Sequence, residues 1–409
     1  MRAQIAQLLM FTSIGTITRD MFGVVFNLYL RENLVTNQEI GNITSFMLWG
    51  SAIIGFVMSL LAETIGRKKV LFISALLVPL FNIGMIVIPD PAALNAISFF
   101  RGGIGILSQT VVSAIIVHMT ENRNRAKVFG LNIGLMMASG VLGNLLGGFF
   151  GEWFGLREAL YLSTALYCIS FIPLLRIKVP DIRIAIRKVL DFSMIKPEQK
   201  KILTLYYLST MSIGFGAGLF IHFGNLIYKD LFGLSSAAIG VALSIAQLGT
   251  AAGNIFSHVL ARRVGPLQLR FWSEMLVIPL MISLIVVRQP ALFVLLYTLR
   301  FILMNSASPI LTTIINSFIP KEKIATLAGI NAFLNNSVRG IAAMLFGLIV
   351  GASVSGYNLL FSVSTAFYAL NAVFSFIFLM RYRSHPIVLS LYPNRKDPQP
   401  AIPPRPPLT

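Results

Sequence analysis

Twelve runs of predominantly apolar residues, each about 20 residues long, follow one another from residue 5 to residue 380, and no other feature of the chain narrows its fold as much. They occupy 5–30, 40–62, 70–88, 93–117, 127–150, 157–175, 203–227, 236–260, 269–287, 291–316, 325–351 and 357–380, and are numbered spans 1 to 12. A helix of about 20 residues rises about 30 Å, the thickness of a bilayer's hydrocarbon core. Inside lipid every backbone polar group must be paired within its own segment, so such runs fold as helices. The expected fold class is therefore all-α, a polytopic membrane protein with the lipid bilayer as its solvent. Pro79, Pro173, Pro279 and Pro309 fall inside spans, where a missing N–H donor is expected to kink them. The first run carries Arg19 and Asp20 and is too long for a cleaved leader, so it reads as span 1.

A net charge of +18 would suggest a nucleic-acid partner in a soluble protein. Here hydrophobic residues are 56% and charged residues 12%, and the basic residues alternate from one inter-span segment to the next. Arg67, Lys68, Lys69, Arg123, Arg125, Lys127, Arg262 and Arg263 share one side with both termini. Only Arg31, Arg157, Lys229 and Arg288 lie on the other. The positive-inside rule then predicts both termini in the cytoplasm, in a prokaryotic cytoplasmic membrane, with no nucleic acid bound. The single cysteine, Cys168, allows no intrachain disulfide and is expected to pack in the core. Neither a histidine cluster with metal spacing, a nucleophile with its base, nor a phosphate-binding loop is present, so no enzyme activity, metal or cofactor is expected.

One offset of 199 residues (for example 239 − 40) superposes Ile40 on Ile239, Gly41 on Gly240, Gly66 on Gly265, Arg101 on Arg300, Gly130 on Gly329, Asn132 on Asn331 and Gly148 on Gly347. Duplication accounts for this. Six spans per half is an even number, so both halves enter the membrane from the same side and leave a cavity between them. The organisation that follows is an N-terminal six-helix bundle (1–175), a basic linker (176–202), a pseudo-symmetric C-terminal six-helix bundle (203–380) and a proline-rich tail (381–409). In the linker, Ile182, Ile186, Val189 and Leu190 fit either a short interfacial helix or a solvated strand of charge. The prolines of the tail favour an extended chain.

After span 2 stands Ser59-Leu-Leu-Ala-Glu63-Thr-Ile-Gly66-Arg67-Lys68-Lys69. Span 4 holds Arg101-Gly-Gly-Ile-Gly105, and span 5 holds Gly140-Val-Leu-Gly143-Asn144-Leu-Leu-Gly147-Gly148. These segments resemble the loop 2–3, helix 4 and helix 5 motifs of the major facilitator superfamily. The resemblance implies a twelve-helix secondary transporter working by alternating access, with Glu63, Gly66, Arg67, Lys68 and Lys69 forming a cytoplasmic latch. Ser59 replaces that motif's first glycine and Thr64 its frequent arginine, so a weaker latch is implied. Asn144 replaces the proline of the antiporter motif, which weakens an inference of antiport. The glycines Gly105, Gly140, Gly143, Gly147 and Gly148 are expected to let helices approach closely.

Among the acids, Asp20 alone is expected deep in a span, beside Arg19; Arg101, Arg300 and Arg339 complete the intramembrane charges. Counted at 1.5 Å per residue, Asp20 and Arg101 share a depth roughly 12–15 Å below the outer face and are expected to pair or compete. Proton binding at Asp20, switched by Arg101, would couple transport to a proton gradient; the competing reading is a fixed salt bridge between spans 1 and 4. If Arg300 and Arg339 face the cavity, with Asn335 one turn back, their surplus charge suits an anionic cargo. Otherwise they satisfy groups between helices. Glu274 is expected to pair with local arginines near the start of span 9.

The expected function is proton-coupled movement of a small organic solute by a monomer, with export of amphipathic compounds ahead of uptake or exchange of an organic anion. A membrane sensor or scaffold that has kept the fold without transporting is the alternative of another class.

Overall fold

The computed structural model describes residues 2–177, 196–320, 323–351, 353 and 355–391, and every regular element among them is helical. Twelve helical segments are long and apolar enough to cross a membrane. Spans 1 to 5 are Arg2–Glu32, Asn37–Ile65, Arg67–Val87, Pro91–Met119 and Asn122–Phe154. Spans 8 to 12 are Ser236–Val264, Pro266–Val286, Pro290–Phe318, Ile324–Val350 and Ser355–Tyr382. The expected linker falls largely outside the described residues, as does the tail beyond Leu391.

Two spans are interrupted, each for a local reason. Span 6 is two helices, Leu156–Cys168 and Phe171–Arg176. Pro173 cannot supply the N–H that would bond back to Ile169, and the helix breaks there. Span 7 runs Pro197–Gly218, turns through a 3-10 segment at Ile221–Phe223, and continues as Gly224–Phe232. Gly214, Gly216, Gly218 and Gly224 crowd this stretch, and glycine is a poor helix former. Pro79, Pro279 and Pro309, by contrast, stay inside unbroken helices.

Repeated punctuation shows at the helix starts. Gly66 and Gly265, 199 apart, have φ of 103° and 98°, a conformation that disfavours any side chain, and each turns the chain directly into the next helix. Asp90 and Gln289, also 199 apart, each cap a helix that begins with proline, accepting from the N–H of Ala93 and Leu292.

The halves meet along two seams that the repeat relates to one another. Gly148 of span 5 lies so close to Gly240 of span 8 that a Cβ on either would come within 2.9 Å of the other's Cα. Gly41 of span 2 meets Gly347 of span 11, where a Cβ on Gly41 would lie 3.3 Å from the Gly347 nitrogen. Since Gly41 corresponds to Gly240 and Gly148 to Gly347, the second seam is the first seam turned about the axis of the repeat.

Three apolar clusters show how the bundle is divided. Phe22, Val25, Leu28, Phe220, Phe223 and Phe346 belong to one core that both halves share, on the side away from the chain termini. Toward the termini the cores separate: Leu8, Phe11, Val70 and Ile115 pack within the first half, and Ile202, Leu267, Ile314 and Phe378 within the second. Cys168, expected in a core, is exposed instead, because its part of span 6 forms the outside of the bundle.

Candidate functional site

Beneath the shared core lies a cavity of about 480 Å³ between the halves, lined by Asp20, Arg19, Phe22, Arg101, Asn144, His222, Gln247 and Tyr297 among others. That volume falls within the usual range for small-molecule sites. Asp20 reaches it from span 1, where the glycines of span 5 make room. A Cβ at Gly140 would lie 2.7 Å from Asp20 Oδ2, and one at Gly143 would lie 2.4 Å from the Ile17 carbonyl oxygen. Gln247 comes to the same point from the second half, its Nε2 2.9 Å from that Gly140 position. Gly147 continues the packing against the Met21 backbone, at 2.6 Å. Spans 1, 5 and 8 therefore converge on the carboxylate.

Asp20 and Arg101 do not pair in this conformation. Arg19 Nε donates to Asp20 Oδ1 at 2.9 Å, with the Arg19 side chain 45% exposed. An ion pair so open to solvent is worth at most about 1 kcal/mol. Arg101 instead donates from Nε to Asn82 Oδ1 at 2.5 Å, approaches the Met47 sulfur at 3.3 Å, and lies 4.6 Å from the centre of the Phe22 ring. Both side chains line the one cavity, but they leave their helices in different directions.

Arg300 and Arg339 sit elsewhere in the second half, and neither is among the residues lining this cavity. Arg300 is enclosed by the rings of Phe301, Tyr368 and Phe220, at 4.7, 5.1 and 5.2 Å from its guanidinium carbon. Its Nε and that of Arg339 are buried without an acceptor. The Arg339 backbone packs against Gly218 at the break in span 7. Asn335 turns to span 7, donating to the Thr210 carbonyl at 3.3 Å.

At the loop 2–3 motif, Arg67 is buried and Lys68 lies 5.6 Å from the Phe72 ring centre, while Lys69 is exposed. The Glu63 side chain lies outside the described residues. Gly105 departs from the expected packing role: a Cβ there would meet nothing within 4 Å, because the position faces open space. The close contacts in that segment belong to its neighbours Gly102, 1.9 Å from the Met47 carbonyl oxygen by the same measure, and Gly103, 2.5 Å from Ile54.

One polar cluster escaped the sequence reading, and a second forms around the pairing expected of Glu274. Away from the termini, Arg31 of span 1 pairs with Asp230 of span 7 at 3.3 Å, and Tyr357 donates to the same carboxylate at 2.6 Å. Asn37 bonds both Arg31 and the Gly351 carbonyl, and Glu152 accepts from Ser236 at 3.1 Å. Asn27 donates to the His222 carbonyl and to Asn225, whose amide returns to the Val24 carbonyl at 2.7 Å. Apart from the Tyr357–Asp230 and Arg31–Asn37 bonds, which support the pair from within each half, these bonds tie one half to the other. The second cluster lies inside the second half: Arg270 and Glu274 pair at 3.0 Å, both nearly fully buried, with Ser209, Asn371 and Ser375 completing the network. Asp20 is thus not alone among acids within the spans. Ser209, Asn371 and Ser375, which make Glu274's burial tolerable, come from two other spans and leave no local sequence signal.

Twelve membrane-crossing helices in two related bundles around a central solute-sized cavity define the class: an integral, multi-pass membrane transporter. The sequence pattern of the Major Facilitator Superfamily matches residues 8–343, and the chain belongs to that superfamily. It is 24% identical over 388 residues to a multidrug resistance protein, MdtG, of Dickeya zeae (strain Ech586), covering 88% of this chain and 91% of that protein. Against the MdtG protein of Klebsiella pneumoniae (strain 342) the identity is 25% over 375 residues, covering 87% and 88%. Among solved structures, the nucleoside transporter NupG superposes with a TM-score of 0.73 at 15% identity, covering 92% of this chain and 98% of that one. The inward-open xylose transporter XylE from E. coli gives 0.73 at 14%, covering 95% and 100%.

Proposed function

We propose that this transporter exports small amphipathic solutes across the cytoplasmic membrane in exchange for protons, as a monomer whose termini lie in the cytoplasm. One observation carries this reading: a carboxylate, Asp20, stands in the cavity between the halves, bonded among the described residues only to its exposed neighbour Arg19 and packed where span 5 meets span 8. A carboxylate so placed can take up a proton in one state of the halves and release it in the other. The names of the MdtG relatives support export, and the basic residues beside the termini support the orientation. With that orientation, the shared core closes the outer side and the separate cores lie toward the cytoplasm, an inward-facing carrier.

In liposomes under an imposed pH gradient, Asp20→Asn is expected to abolish gradient-driven movement of cargo while leaving downhill exchange. Unchanged gradient-driven movement would remove Asp20 from coupling.

A second reading, uptake or exchange of an organic anion, draws on Arg300 and Arg339, whose Nε atoms are buried with no acceptor. Wild-type anion affinity in both Arg300→Gln and Arg339→Gln would end it.

A further inference from the structure

The open space beside Gly105 belongs to a second cavity of about 220 Å³, lined within the first bundle by spans 1 to 6. Three residues, Arg19, Met47 and Arg101, line both this pocket and the central cavity, so the two volumes adjoin there. Alone, 220 Å³ is below the roughly 300–1,000 Å³ of ordinary ligand sites, enough for one end of a solute and not for the whole.

The walls of the pocket carry donors that the protein leaves unused. Thr16 and Tyr167 are 4% and 7% exposed, and neither hydroxyl has a hydrogen-bond partner among the described residues. Both residues are otherwise enclosed by protein, so the pocket is the space their hydroxyls open onto. Arg101 uses its Nε and one terminal nitrogen, leaving the other without a partner, and the Gln109 side chain makes no hydrogen bond. No acid lines the pocket. Its free donors and positive charge call for an oxygen acceptor, and Phe11, Val78, Ile106 and Met136 supply apolar surface around it.

We propose that this side pocket is a cargo subsite, taking a small ring or short chain that ends in an accepting oxygen, a carboxamide or a carboxylate, while the rest of the molecule lies in the central cavity. The proposal rests on the transport reading and adds to it the chemistry of one end of the cargo. Glycine at 105 keeps the pocket open, Arg101 stands at its junction with the central cavity, and Thr16 and Tyr167 meet the oxygen.

The test uses the purified full chain and three probes of similar size: benzamide, benzoate and toluene. A ligand bound to the folded state raises its melting temperature. Benzamide and benzoate are expected to stabilise the wild type, and toluene is not. Gly105→Leu, whose side chain would enter space where a Cβ meets no atom, is expected to keep the ligand-free melting temperature within a few degrees and to lose the response. Tyr167→Phe, which removes one hydroxyl, is expected to weaken binding about three- to ten-fold. Benzamide and benzoate responses in Gly105→Leu equal to wild type, or equal responses to toluene and benzamide, would overturn the proposal. Liposome transport separates the two readings. Binding that Gly105→Leu abolishes, in a protein that moves no solute, would keep the pocket and end the transport reading. Transport of long and short cargo alike by Gly105→Leu would end the pocket and keep transport.

Discussion

Arg101 and Arg300 occupy the same place in the two copies of the bundle, and each lies near a phenylalanine from an equivalent part of its half, Phe22 and Phe220. Beyond that the copies part. Arg101 bonds Asn82 and faces two cavities, whereas Arg300 is shut inside three aromatic rings. The cause lies one helix away: the residue 199 positions beyond Asn82 is Met281, fully buried and without an amide oxygen, and the one beyond Met47 is Ala246. Duplication kept the cation and the nearby ring, but divergence of the surrounding residues decided which arginine lines a cavity. Cation–π contact worth up to about 2 kcal/mol when desolvated helps hold Arg300 where it is.

The most direct way to break this comparison is to neutralise each arginine in turn. Arg101→Gln is expected to lower transport at least about ten-fold, and Arg300→Gln less than about three-fold, measured as initial rates in liposomes. The opposite order would make the second half the working one and favour an anionic cargo. A smaller change sharpens the same point. Asn82→Met gives the first half the second half's residue; it removes a hydrogen bond worth about 1 kcal/mol and is expected to slow transport several-fold, with a melting temperature only a few degrees lower. The smallest expected effect concerns Arg31 and Asp230, themselves 199 apart yet bonded to each other across the halves. Asp230→Asn is expected to cost less than about 1 kcal/mol, because Arg31 is 35% exposed, and to shift the halves toward opening on that side. Thiol labelling of a cysteine placed at Asn225, in a Cys168→Ser background, would register the shift as faster modification. Unchanged labelling would exclude the pair from gating.

Much of this architecture is legible in the sequence. Apolar runs of bilayer length leave a chain few alternatives, and the offset that aligned Gly41 with Gly240 and Gly148 with Gly347 picked out the very residues at which the halves touch. The site was less legible. Residue counting fixes how deep Asp20 and Arg101 lie, but not the direction each takes around its helix axis, and direction is what separates them. Gly105 looked like its neighbours Gly102 and Gly103 in sequence; only the placement of span 2 shows that those two are pressed against Met47 and Ile54 and Gly105 is not. Arg31 and Asp230 lie in different halves, and no local pattern links them.

The paired glycine seams have a mechanical consequence. Two places where backbone rests almost directly on backbone act as bearings, and the line through them is a natural axle for one half to turn on. From Gly148 to the start of its helix at Asn122 the lever is roughly 39 Å long, counted at 1.5 Å per residue. A turn of about 10° would therefore swing the far end of that helix by roughly 7 Å, enough to admit a small solute. Any side chain added at Gly148 or Gly240 would wedge the seam itself, so a rocking motion at one face of the membrane would depend on two hydrogen atoms near the other.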